Sequence, residues 1–225
     1  MSGMPIIILL VIVGVVVGAI YNNIQAQKRR EGLIDLARRL NLSFDAGEHY
    51  TFADAYSFLK ELDKGDNRYA TNILSGTYRQ NQVVAFDYHY ETHSTDAHGN
   101  SQTQHHWFSF LILTLPALFP GLTIRREGIF TKIAEVFGYQ AIKFESAEFS
   151  QTFCVRSPDK KFAYDVCNAN MIEYLLANKD LSVEIENQVI ALAFNTRISV
   201  EEIENDLQRL VEIRARLPEY LFTSQ

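Results

Sequence analysis

The sequence predicts an α+β domain on a mainly antiparallel sheet with flanking helices, preceded by one N-terminal transmembrane helix. Three observations lead there. Met4 to Tyr21, MPIIILLVIVGVVVGAIY, runs for eighteen residues without a charge. The middle of the chain alternates apolar and polar residues with the period of two that a half-buried strand requires. Strands then succeed one another with interspersed helices and no βαβ rhythm, the pattern of an antiparallel α+β domain.

The elements follow in order, as a transmembrane helix at 4–21, a basic juxtamembrane helix at 22–42 and a soluble α+β domain at 43–225. Eighteen helical residues rise about 27 Å, close to the roughly 30 Å of a hydrocarbon core. A cleavable signal peptide would open on basic residues and end on small ones. Here MSGMP carries no basic side chain, the run ends in Ile20-Tyr21-Asn22-Asn23, and Lys28, Arg29 and Arg30 all follow it. The positive-inside rule then puts the N-terminus outside and the domain on the cytoplasmic side of the inner membrane.

Gly14 and Gly18 match the small-xxx-small spacing that lets two membrane helices approach, which offers a face for a homodimer, although glycine is common in membrane spans. The segment from Asn22 to Leu42 has a net charge of +3, from Lys28, Arg29, Arg30, Arg38 and Arg39 against Glu31 and Asp35; the remainder is −9. This collar can set topology or attract anionic headgroups at about 1 kcal/mol per charge. The acidic body excludes general nucleic-acid binding.

A break is expected at Asn22-Asn23, then a helix over Lys28 to Asn41 with Leu33, Leu36, Ala37 and Leu40 on one face. A second helix is expected from Phe52 to Leu62, ended by Lys64-Gly65-Asp66-Asn67. Strands follow at Ile73 to Arg79 and Gln82 to Thr92 around a turn at Gln80-Asn81, then at His105 to Leu115. Pro116 and Pro120 separate that strand from another at Leu122 to Arg126. Ile129 to Phe137 reads as an amphipathic helix, Ile142 to Glu145 and Thr152 to Arg156 as strands, and Asn168 to Ala177 as a helix. Leu181 to Ile185 and Val189 to Phe194 read as a hairpin around Glu186-Asn187-Gln188. The last helix opens on the capping box Ser199-Val200-Glu201-Glu202 and stops before Pro218.

Cys154 and Cys167, with no CxxC or metal-finger spacing, read as two thiols in core segments, compatible with a reducing compartment. The sequence contains no GxSxG elbow, P-loop, GxGxxG, HExxH or EF-hand loop. Glu145 and Glu148 in FESAEF read as a solvated acidic face.

Five of the six histidines lie in FDYHYETHSTDAHGNSQTQHHWFSF. Alternation puts Phe86, Tyr88 and Tyr90 on one face and Asp87, His89, Glu91 and His93 on the other. On the return strand Phe108, Phe110 and Ile112 share a face, opposite His105, Trp107, Ser109 and Leu111. A turn centred on Gly99 sets His105 near His93 and Thr95. His89, Glu91, His93 and His105 then share one hairpin face, where imidazole and carboxylate can bind zinc or another divalent metal with a position open for water.

From Asn72 onward the chain resembles a group of uncharacterised bacterial proteins with one N-terminal span and a domain of unknown function. The segments that carry the resemblance are ILSGTYRQNQVVAFDYHY, HHWFSFLILTLP, LTIRREGIF, FESAEFSQTFCVRSPDKKFAYDVCNANMIEYLL and LPEYLF, across roughly two thirds of the chain. The resemblance implies no activity and carries over no functional residue; it also implies that the histidine-rich stretch varies more than the core around it. Two functions remain expected. One is a membrane-anchored, non-enzymatic module that binds a protein partner or the membrane surface. The other is a metal-dependent hydrolase on the histidine face.

Overall fold

The computed structural model describes residues 4–59, 61–96, 99–126 and 140–223, without the side chains of 4–8, 10, 11 and 53. The expected helix over Ile129 to Phe137 lies outside the described residues.

The chain is a mixed α and β fold on an antiparallel sheet with flanking helices. Helix α1 covers Met4–Leu40, followed by strand β1 (Ser43–Asp45) and a short α2 (Tyr50–Ala55). Strands β2 (Asp66–Tyr78), β3 (Asn81–Thr95) and β4 (Ser101–Arg126) form a meander. Then come α3 (Ala147–Thr152), β5 (Phe153–Arg156), α4 (Lys160–Val166), α5 (Ala169–Ala177), β6 (Val183–Ala193), α6 (Val200–Ala215) and α7 (Tyr220–Thr223). The sheet order is β1-β2-β3-β4-β5, with β6 on β4.

Helix α1 does not break at Asn22-Asn23. An asparagine costs a helix only about 0.7 kcal/mol, and neither glycine nor proline stands there to interrupt the hydrogen bonds. Among the described residues no helix is long and apolar enough to cross a membrane. The helix expected over Phe52 to Leu62 ends earlier, at Ala55, and continues as turns closed by Leu59 N–H to Tyr56 O and Leu62 N–H to Leu59 O.

Pro116 and Pro120 do not end a strand. β3 pairs with β4 as far as Leu113 and β5 takes over at Thr123, so both prolines fall in the stretch where that edge changes partner. A missing N–H costs no ladder bond there. The expected hairpin at Leu181 to Phe194 is instead one strand, β6, bent at Asn187, whose φ is +52°. Its two halves follow the two halves of β4. The expected strand Ile142 to Glu145 is reduced to a single bridge between Ile142 and Val155. Helix α4 was not expected; its signal was Asp159, whose carboxylate caps Phe162 N–H.

The sheet buries both faces. Leu33, Leu36 and Ala37 of α1 and Ile203, Leu207, Leu210 and Ile213 of α6 cover Val83, Ala85, Leu111 and Leu113. On the other face Leu59 and Leu62 cover Phe86, Tyr88, Phe110 and Ile112. No disulfide joins Cys154 to Cys167, and burial pushes the Cys167 thiol far up.

Candidate metal centre

The β3–β4 hairpin carries the expected face. Asp87, His89 and Glu91 point to the α1 side, with Ser109, Trp107 and His105 directly opposite them. The parity of the pairing is therefore as expected, but the register is displaced by two residues: His105 faces Glu91, and His93 faces Thr103. Asp96 sets this register. Its carboxylate accepts from Asn100 N–H at 2.8 Å and from the Asn100 amide at 2.9 Å, closing the loop with Gly99 at φ +84°.

Three of the four expected ligands converge. His89, Glu91 and His105 each offer a donor atom within 4.8 Å of the others. His89 Nε2 lies 3.0 Å from His105 Nδ1, and His105 Nδ1 lies 3.4 Å from Glu91 Oε1. His93 is not among them. Its Nδ1 meets Thr103 Oγ1 at 3.1 Å and its Nε2 stands 4.0 Å from Asp66, because the displaced register carries it one step towards the tip. His106 is on the opposite face, stacked on Tyr90 at 4.5 Å. His98 lies outside the described residues.

Strand β2 supplies what the sequence reading missed. It bulges between Asp66 and Tyr69, and Asn67 sits in the bulge at φ +46°. Asparagine tolerates that left-handed conformation better than most residues. The Asn67 carbonyl accepts from His89 Nδ1 at 3.1 Å, and its side-chain amide donates to Glu91 Oε1 at 2.7 Å. Gly65, at φ +63°, admits the close approach of the Glu91 carbonyl, which a Cβ would block. The sequence showed this segment only as a breaker.

The electrostatics follow. A carbonyl can only accept, so His89 Nδ1 carries hydrogen and, in the neutral ring, Nε2 is a lone pair aimed at His105. Burial holds the His89 pKa below its usual value, against the opposing effect of the Asn67 carbonyl. The Asn67 amide holds the Glu91 carboxyl below the usual carboxylate range. His89 is 2% exposed, its ring between Tyr69 and Trp107 with both centroids at 4.6 Å, and Arg197 covers Trp107 at 4.9 Å. The His105 side chain is 58% exposed, which leaves the cluster open on one side.

One residue pair inward, Asp87 is a buried hub. Arg29 grips it through two bonds of 2.8 and 2.7 Å and donates a third to Ile198 O at 2.7 Å. Asn72 and Ser109 each donate to Asp87 at 3.0 Å. Larger clefts lie elsewhere: one of about 580 Å3 between Phe144, Tyr164 and Ile172, and one of about 560 Å3 beside Tyr174 and Arg216.

Among solved structures, this chain is similar to the crystal structure of the mycobacterial trehalose monomycolate transport factor A, TtfA. The TM-score is 0.59 at 13% identity, covering 86% of this chain and 96% of that one. The likeness is one of fold. No family model and no curated protein matches this chain.

Proposed function

We propose that this chain is a single-pass, membrane-anchored module, with its α+β domain held against the cytoplasmic face to bind a protein partner. The observation that carries the reading is the division of α1. From Leu9 to Ile24 its large apolar side chains that are described stand exposed, and a Cβ at Gly14 or Gly18 would meet nothing. From Arg29 onward the same helix is fastened to the sheet through Asp87, Leu33 and Leu36. A helical stretch whose described large apolar side chains all stand exposed calls for another apolar medium. A bilayer or a second such helix, paired through Gly14 and Gly18, would supply it.

The collar is smaller than its sequence suggests. Arg29 is spent on Asp87, Arg39 pairs with Glu204 and Arg38 with Asp35. Lys28 and Arg30 remain exposed, together contributing about 2 kcal/mol at an anionic surface. That orients a span but does not make a headgroup receptor, and it favours a protein partner. The fold neighbour is named as a transport factor, and a binding role agrees with that name. The hydrolase reading draws on the converging His89, Glu91 and His105 alone.

Two measurements test the proposal. A reporter fused after Gln225 is expected to be active only in the cytoplasm; activity on the outer side overturns the topology. Cross-linking of the full chain in cells, followed by purification in detergent, is expected to bring down one defined protein in fixed ratio. Recovery of the chain alone, together with no binding to anionic liposomes by residues 22–225, overturns the binding role.

A further inference from the structure

We propose that His89 Nε2, His105 Nδ1 and a Glu91 carboxylate oxygen hold one first-row divalent cation, zinc foremost, which clips β3 to β4 where the sheet leaves its core. This inference does not depend on the membrane reading.

Distance is the first argument. An ion with ligand bonds of about 2.0–2.1 Å sets neighbouring donors about 3.0–3.4 Å apart, in tetrahedral or octahedral shells. The donors here are 3.0 Å apart (His89 to His105) and 3.4 Å apart (His105 to Glu91). All three donor atoms lie within 4.8 Å of one another.

Preparation of the ligands is the second. Metal-bound histidines usually donate their other N–H to a carbonyl or carboxylate, which fixes tautomer and ring direction. His89 does so to Asn67 O, and Tyr69 and Trp107 hold the ring from both sides. The Asn67 amide orients Glu91 through the oxygen facing His105 and leaves the other oxygen and a further lone pair for an ion. One residue at one bulge thus positions two ligands. Direct cross-strand pairing of Glu91 with His105 supplies the third donor.

Composition is the third. Two imidazoles and one carboxylate suit zinc, copper, nickel or cobalt and discriminate against magnesium and calcium, which favour all-oxygen shells. On binding, His105 passes to its other neutral tautomer, losing the Nδ1 proton to water and taking one at the exposed Nε2, so that His89 Nε2 and His105 Nδ1 both turn lone pairs to the ion. The remaining coordination positions face solvent past His105, where water or a partner's side chain completes the shell.

The test uses the full chain in detergent, stripped with chelator and titrated with Co2+ and then Zn2+. The expected result is a visible d–d band that saturates near one equivalent and is abolished by Zn2+. His105→Ala, at an exposed position, is expected to abolish the band with an unchanged far-UV spectrum. Glu91→Gln is a second variant with the same expectation. Asn67→Gly, which keeps the left-handed backbone and removes the amide, is expected to weaken binding about 10–100-fold. His93→Ala is expected to bind as the parent does. Saturation below half an equivalent, undiminished binding by His105→Ala, or equal loss in His93→Ala would each show adventitious surface histidines and overturn the site.

Discussion

Asp87 shows how much one side chain can fasten. Its carboxylate takes two bonds from Arg29 and one each from Asn72 and Ser109, with the side chain 2% exposed. Removing one partner of a buried pair leaves the other charge unpaired, at about 3–5 kcal/mol. Arg29→Ala is therefore expected to lower stability by roughly that amount in urea unfolding, and Arg29→Lys by less, since it keeps the charge but loses the fork. A loss under about 1 kcal/mol for Arg29→Ala would mean that the pair is not buried. The same scale governs acid sensitivity. His89 has a folded pKa below its unfolded 6.5 because burial disfavours the imidazolium. Its contribution is present above pH 6.5 and drains as pH falls through the folded value. Burial pushes Glu61 up, but Arg125 and Lys64 outweigh it and leave its pKa below 4.5. Its contribution is present above 4.5 and lost below, in a second step. Unfolding midpoints followed downward from neutral pH are expected to fall in those two windows, with the first absent in a His89→Gln variant that remains folded. A flat profile between neutrality and pH 4.5 would exclude the His89 assignment.

At the scale of elements, face assignment was legible and register was not. Alternation with the apolar faces matched puts Asp87, His89 and Glu91 on the same face as Ser109, Trp107 and His105, because parity is a property of each strand. The two-residue displacement depends on how Asp96 closes its loop on Asn100, a choice that hydrophobic pattern does not encode. Asn67 was invisible as a site residue for a related reason: it reaches His89 through a backbone carbonyl, which any residue has, and its amide reaches Glu91 only because β2 bulges there. The prolines of β4 misled because their penalty depends on whether a neighbour needs the N–H, which only topology decides. The β6 bend offers a direct check. Asn187 holds φ +52° where β6 shifts register against β4. Asn187→Gly is expected to be neutral within about 0.5 kcal/mol, since glycine takes that conformation freely. Asn187→Val is expected to cost about 1–2 kcal/mol. Equal stabilities for the two variants would show that the bulge migrates to another residue.

For the whole molecule the decisive feature is that α1 is one helix rather than two. In the proposed topology a hinge at Asn22-Asn23 would let the domain wander over the membrane surface, whereas a continuous helix fixes its height and tilt. Leu42 lies against Gly76, which pairs with Val83, while Arg29 grips Asp87. Going from Leu42 back to Arg29 thus runs the same way as going from Val83 to Asp87, and the N-terminal end of α1 and the hairpin tip lie toward the same end of the domain. In the proposed topology the His89 cluster therefore faces the bilayer and is presented to whatever sits beside the anchor. Spin labels at Val13 and Lys28 of the full chain, fifteen residues apart, are expected about 22 Å apart along an unbroken helix. The distance distribution should be narrow, and Asn22→Gly with Asn23→Gly should broaden it while leaving the domain's unfolding midpoint unchanged, because those two residues are exposed. A parent distribution already as broad as that of the glycine variant would restore the hinge, and the cluster would then have no fixed direction relative to the membrane.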